Sequence, residues 1–222
     1  MDTYLEEKLT KGAEELNIKL TAEQKNKLIN YLEQLSKWNK VYNLTAIQNK
    51  NEMLVRHILD SLAVIPYLNK LKTNIRKDNI NIVDVGSGGG LPGVIIATMD
   101  SRFKVNCVDS VHKKTAFVQQ MRSRLELKNL SAMHSRVEDL KNKGYDILIA
   151  RAFSTLKTII QLAGKHVLPN GYIVAMKGKK PTKEIKEIKQ ITGWQIHSIT
   201  PLNVPFLDAE RSLVILKKQG MK

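Results

Sequence analysis

The stretch Asp84-Val-Gly-Ser-Gly-Gly-Gly-Leu-Pro-Gly93 decides how this chain is read. Ile80–Val85 before it is a short apolar run of strand character, and Val94–Met99 after it is apolar at helical density. The glycines therefore occupy a strand-to-helix turn, with Pro92 suited to a first helical turn. Five of the eight residues 86–93 are glycine. Glycine lets a backbone turn tightly and approach a ligand closely, and a turn with no ligand has no need of so many.

The same two-part pattern repeats outward. Phe103–Val108, Leu130–His134, Tyr145–Ala150, Tyr172–Met176, Trp194–Ile199 and Ser212–Leu216 read as further strands. Lys113–Leu127, Leu156–Val167 and Thr182–Gln190 read as helices between them. Such alternation predicts an α/β fold with a mostly parallel sheet and helices on both faces. Only the last two strands lack a helix between them, so they are expected as an antiparallel pair at one edge. Residues 1–70 read instead as helices. Thr21-Ala-Glu-Gln24 is a capping box, followed by a stripe of Leu28, Tyr31, Leu32, Leu35 and Trp38. A second stripe, with His57, Ile58, Ser61, Leu62 and Ile65, runs from Asn51 or Glu52 to about Leu68. Asn43 and Thr45 favour a turn between the two. The expected division is a helical cap over 1–70 packed on a core of 71–222.

Composition sets outer bounds. The chain has 222 residues, 42% of them apolar, enough for a buried core and too many for a disordered chain. Its single cysteine, Cys107, excludes a disulfide scaffold and a cysteine-built zinc site, and no metal is expected. No apolar run approaches a membrane span, and the acidic N-terminus is unlike a secretory signal; a monomer in the cytoplasm is the expectation. The net charge of +15 is uneven: residues 1–60 sum to 0, 61–130 to +6 and 131–222 to +9. That distribution suits a polyphosphate partner, although a lysine-rich composition alone also produces it.

Two ligands fit the glycine turn. Gly88-x-Gly90-x-x-Gly93 matches the dinucleotide fingerprint. Asp84-x-Gly86-x-Gly88-x-Gly90 matches the pattern of S-adenosylmethionine sites. Asp84 favours the second, because a carboxylate repels a pyrophosphate but attracts an ammonium and a sulfonium. Asp109, ending the next strand, suits ribose hydroxyls in either case. An NAD(P)-dependent oxidoreductase or nucleotide sensor on the same sheet remains the alternative. Ser135-Arg-Val-Glu-Asp139 follows the third strand, where Glu138 or Asp139 can accept from an adenine amino group.

For a methyl acceptor, what is missing helps. The fourth strand leads into Ala150-Arg-Ala-Phe153, not the Asn/Asp-Pro-Pro-Tyr turn of adenine amino-methylation. Pyrimidine C5 methylation needs a cysteine nucleophile, and Cys107 lies inside a strand. Hydroxyl methylation needs a base, for which Lys177 keeps the option open. Guanine N7 has a lone pair and no proton to lose, so proximity and alignment suffice.

Taken in order, Trp38-Asn-Lys-Val-Tyr-Asn-Leu-Thr-Ala46, Arg56-His-Ile-Leu-Asp-Ser-Leu62, Asp84–Gly93, Asp109-Ser110 with Lys113-Lys114, Ser135-Arg-Val-Glu138, Arg151-Ala-Phe153, Ala175-Met-Lys-Gly178 and Glu210-Arg211 form a signature. It closely resembles the bacterial 16S ribosomal RNA methyltransferase G family (RsmG, or GidB), from residue 38 to about 216. The resemblance implies a class I S-adenosylmethionine-dependent methyltransferase (Rossmann-like) sheet with a helical N-terminal extension. It implies N7 methylation of guanosine 527 of 16S rRNA, in free RNA or a small ribosomal subunit, without a covalent enzyme intermediate and with S-adenosylhomocysteine as product. It also implies that Gly86, Leu91, Asp109, Val137, Glu138 and Arg151 line the cofactor site; Asp84, Gly88, Gly90 and Ser110 join them from the motifs. Lys114 departs mildly from the arginine of many members.

For the acceptor side the candidates are Arg151, Lys177, Arg211 and His57. Arg151 ends the fourth strand beside the expected methyl position, or braces the sheet edge. Lys177 and Arg211 can hold a phosphate or a base edge. His57, on an apolar stripe, is a packed core residue or a group facing the cofactor mouth. Trp38 is core or a stacking ring. Arg136 can grip a phosphate or pair with a nearby acid. Lys179, Lys180 and Lys183, in Lys177-Gly-Lys-Lys-Pro-Thr-Lys183, read with Arg211 as RNA-binding.

Overall fold

The computed structural model describes residues 3–141 and 144–220. Both ends of the two expected units, residues 1–2 and 221–222, lie outside the described residues. The strands are β1 Ile80–Val85, β2 Phe103–Asp109, β3 Leu130–His134, β4 Tyr145–Arg151, β5 Val167–Lys177, β6 Trp194–Pro201 and β7 Ser212–Lys218. They form one sheet in the order β3-β2-β1-β4-β5-β7-β6. β1 to β5 run parallel, while β7 is antiparallel to both β5 and β6. The antiparallel pair does stand at one edge, with β7 inserted between β5 and β6.

Alternation along β1 divides the core. Ile80 and Ile82 face α6 (Gly93–Met99) and α7 (His112–Arg124), whereas Val83 and Val85 face α8 (Leu156–Ala163) and α9 (Thr182–Ile188). The helices before β1 share the first of these buried clusters, so the N-terminal segment is a wall of the core. These are α1 Thr3–Glu15, α2 Ala22–Tyr42, α3 Lys50–Met53, α4 Asp60–Leu62 and α5 Ile65–Ile75. The capping box on α2 forms as read: Gln24 N–H donates to the Thr21 hydroxyl and Thr21 N–H to the Gln24 side chain.

Two expected helices differ. The stripe from 51 or 52 to Leu68 is not one helix. α3 passes through a π-helical stretch, Leu54–Leu59, into α4; the chain breaks at Ala63-Val64, ahead of Pro66, and α5 runs on past residue 70. Helix 156–167 is also shorter than expected. It closes at Ala163, a 3-10 turn Gly164–His166 follows, and Val167 already belongs to β5. No helix among the described residues is long and apolar enough to cross a membrane.

Candidate active site

Strand order runs 3-2-1 on one side of the β1/β4 boundary and 4-5 on the other. Loops leaving the carboxyl ends of β1 and β4 diverge at such a boundary and leave a crevice there. Gly86, Gly88 and Gly90 all take positive φ (66°, 57° and 85°), which the turn after β1 requires. A Cβ on Gly86 would overlap the Phe153 ring, and one on Gly88 would meet nothing within 4 Å among the described residues. The turn is held from three sides. Asp84 accepts from Gly93 N–H (2.8 Å), Asp109 accepts from Gly88 N–H (2.8 Å), and the buried Tyr31 hydroxyl donates to Gly89 O (2.7 Å). Tyr31 thus ties the N-terminal helices directly to the glycine turn.

A cleft of about 410 Å³ opens beside this turn. Gly86, Asp109, Ser110 and Lys114 line one side, Ser135, Arg136, Val137 and Glu138 another, and Ala152, Phe153 and Leu162 a third. Asp109 is fixed at its mouth by N–H groups of Gly88 and Val111. Asp84 lies beneath the turn, entirely buried, and its Oδ1 has no partner among the described residues. Burial raises its carboxyl to about 7 against the pull of Gly93 N–H and Arg151.

A second cleft, of about 450 Å³, adjoins the first at Ala152, which lines both. Its walls are Ile47, Arg56, His57, Asp60, Arg151, Met176, Lys177, Gly178 and Arg211. Asp60, 2% exposed, is its organising group. One carboxylate oxygen accepts from Arg151 Nη1 (3.0 Å) and the other from Arg211 Nε (2.9 Å). Arg151 also donates to Arg56 O (3.1 Å). A helix start, a strand end and the β6–β7 loop are thereby clamped at one point. His57 has both ring nitrogens engaged, with the Thr45 hydroxyl (2.9 Å) and Arg56 O (3.1 Å). Burial and the nearby Arg151 hold it well down, at about 4, so it is neutral. Lys177 donates to Ser154 O (2.6 Å) and Glu184 (2.9 Å); Glu184 in turn accepts from Leu156 N–H at the start of α8.

The residues expected around a cofactor divide accordingly. Gly86, Asp109, Ser110, Val137 and Glu138 line the first cleft. Gly88 has open space beside it, while Gly90 backs onto Val94 and Val118, and Leu91 is buried. Asp84 is behind the turn, and Arg151 lines the second cleft because Asp60 draws its guanidinium there. Lys177, Arg211 and His57 also meet in the second cleft. Arg136 is on the wall of the first. Lys179, Lys180 and Lys183 are exposed on the segment after β5, next to the second cleft. Cys107 is buried and burial raises its thiol, which leaves no thiolate nucleophile. Asn43 is the left-handed cap of α2. Asp60, Thr45 and Glu184 were not legible as site residues. Asp60 reads as one polar position on an apolar helix, and the partners that give it meaning are 91 and 151 residues away.

Comparisons with known proteins agree with this geometry. The family described as "GidB: rRNA small subunit methyltransferase G" matches residues 24–214. A protein of Bordetella avium named ribosomal RNA small subunit methyltransferase G is 44% identical over 98% of this chain and 95% of its own. That of Bordetella pertussis is 45% identical over 96% of this chain and 93% of its own. Among solved structures, magnesium protoporphyrin IX methyltransferase from Synechocystis, with bound S-adenosylmethionine, superposes with a TM-score of 0.57 at 14% identity, covering 87% of this chain and 97% of that one. An rRNA methylase from Streptococcus thermophilus gives 0.52 at 16% identity over 70% and 96%. These last two likenesses concern the fold.

Proposed function

The chain belongs to the rRNA small subunit methyltransferase G family, and on that premise we propose that it transfers a methyl group from S-adenosylmethionine to N7 of one guanosine of 16S rRNA. The observation that carries the reading is the pair of clefts meeting at Ala152, one floored by the glycine turn and one lined by arginines. In the first, Asp84 shapes the turn by accepting from Gly93 N–H and, raised to about 7 by burial, is not a standing negative charge, while Asp109 is held at the mouth by Gly88 N–H. Asp109 would take the ribose hydroxyls, Val137 and Glu138 the adenine, and the open side of Gly88 the backbone approach. S-adenosylmethionine, when bound, supplies an electrophilic methyl group.

In the second cleft Arg151 and Arg211 are held by Asp60 and would orient the target base and its phosphates. His57 is neutral and fully engaged, and Lys177 is ion-paired. The cleft therefore offers orientation but no ready base, which suits a nucleophile that has no proton to lose. Lys179, Lys180 and Lys183 would track the RNA backbone, in a monomer working where ribosomal subunits are, in the cytoplasm. Tritium from S-adenosylmethionine should enter small ribosomal subunits lacking the modification and not tRNA. S-adenosylhomocysteine should raise the melting temperature and NADH should not. A shift with NADH alone would return the dinucleotide reading.

A further inference from the structure

At the end of α2 three aromatic rings step from the core to the surface. Phe117 is fully buried; Trp38 packs on it with centroids 5.4 Å apart; Tyr42 lies on Trp38 at 4.9 Å, the planes tilted by 38°. Tyr42 is 42% exposed and Val41 beside it 69%. From residue 34 to 51 the sequence holds no acid and three lysines, Lys37, Lys40 and Lys50. Lys37 and Lys40 are exposed, and Lys50 is paired with Glu33. On α2 Tyr42 shares a face with Trp38, four residues back, whereas Lys37 and Lys40, five and two residues back, lie on other faces of the helix.

The end of α2 is also joined to the acceptor cleft. Buried Asn39 donates to Ile47 O (2.9 Å) and accepts Thr45 N–H (2.8 Å), which fixes the chain that follows Tyr42. Thr45 meets His57, and Ile47 lines the second cleft. An exposed aromatic ring can hold an unpaired base, because every base has a π-face to stack.

We propose that Tyr42, backed by Trp38, is a stacking platform for an unpaired base of the substrate RNA next to the nucleotide in the acceptor cleft. This rests on the RNA reading above. A ring that merely covered Trp38 would be replaceable by any apolar side chain, so Tyr42→Leu separates the two roles, and Tyr42→Phe keeps the stacking face. Affinity for protein-free 16S rRNA at one fixed salt concentration, affinity for S-adenosylhomocysteine, and melting temperature are measured for each. Tyr42→Leu should weaken RNA binding about 5- to 160-fold, the range of one lost base stack, with cofactor affinity and melting unchanged; Tyr42→Phe should stay within about twofold. Native RNA affinity in Tyr42→Leu overturns the proposal. A loss on intact subunits but not on protein-free RNA overturns it in favour of a ribosomal protein contact. Failure of the native chain to methylate small subunits would instead overturn the function on which it rests.

Discussion

Replacing Asp60 by alanine strikes the clamp between the two arginines. Two charge-assisted hydrogen bonds are lost, at 3.0 Å to Arg151 and 2.9 Å to Arg211. Breaking a buried pair of this kind costs about 3–5 kcal/mol. Arg151 and Arg211 keep 20% and 22% of their side-chain surface in solvent, so each rehydrates in part. That discount brings the expected loss to about 3 kcal/mol. For a chain of this size each kcal/mol lowers the melting temperature by roughly 2–4 °C, hence about 6–12 °C in all. Asp60→Asn keeps an acceptor but loses the charge, and should lose about half as much. Differential scanning calorimetry reads both variants. Because the first cleft is untouched, S-adenosylhomocysteine affinity should stay within about twofold while methyl transfer to small subunits falls at least tenfold, about 1.4 kcal/mol. An Asp60→Ala protein that melts within a degree of native and transfers at the native rate would refute the clamp.

Other outcomes follow from the same geometry. Burial raises Asp84 to about 7, so the folded chain retains a proton that the unfolded chain gives up near 4. Its favourable contribution is complete below about 4 and is lost as pH rises through about 7; the stability of native relative to Asp84→Asn should therefore fall between pH 5 and pH 8 in urea titrations. His57, lowered to about 4, works the other way, with a contribution complete above 6.5 and lost as pH falls through about 4. His57→Gln should flatten the acid side of the stability profile, and an unchanged slope would contradict the buried neutral ring. Gly86→Ala places a Cβ against Phe153 at positive φ and should abolish S-adenosylhomocysteine binding by calorimetry. Gly88→Ala, with open space, should lose only about 1–2 kcal/mol of stability through backbone strain. Neutralising Lys179, Lys180 and Lys183 should flatten the salt dependence of RNA binding by about 0.7–0.9 log units per lost phosphate contact, with cofactor affinity unmoved.

The sheet was legible because its signals are local. β1 and β3 fall on the residues that the apolar runs mark, and the glycine turn follows β1 as its composition requires. The first cleft was legible for the same reason: Asp109, Ser110, Val137 and Glu138 each follow a readable strand. Two kinds of feature escaped. Local backbone departures within an apolar stripe, such as the π-helical stretch Leu54–Leu59 and the break before Pro66, leave the periodicity nearly intact while redirecting side chains. Long-range polar pairing escaped too. Arg151 was readable as important, but its side chain goes to whichever carboxylate the fold presents, and Asp60 comes from the far N-terminal segment. Lys177 likewise reads as a free strand-end cation until Glu184 of α9 is seen to take it.

On this proposal a methyl donor bound in the first cleft serves a guanine ring nitrogen in the second. Its most direct test is to methylate small ribosomal subunits with this protein, extract the RNA, and treat it with borohydride and aniline, which cut the chain at N7-methylguanosine. One new cut in 16S rRNA is expected, present with the native chain and absent with Gly86→Ala. Incorporated methyl label with no cut would contradict the proposal, because the transfer would then have gone to a different atom.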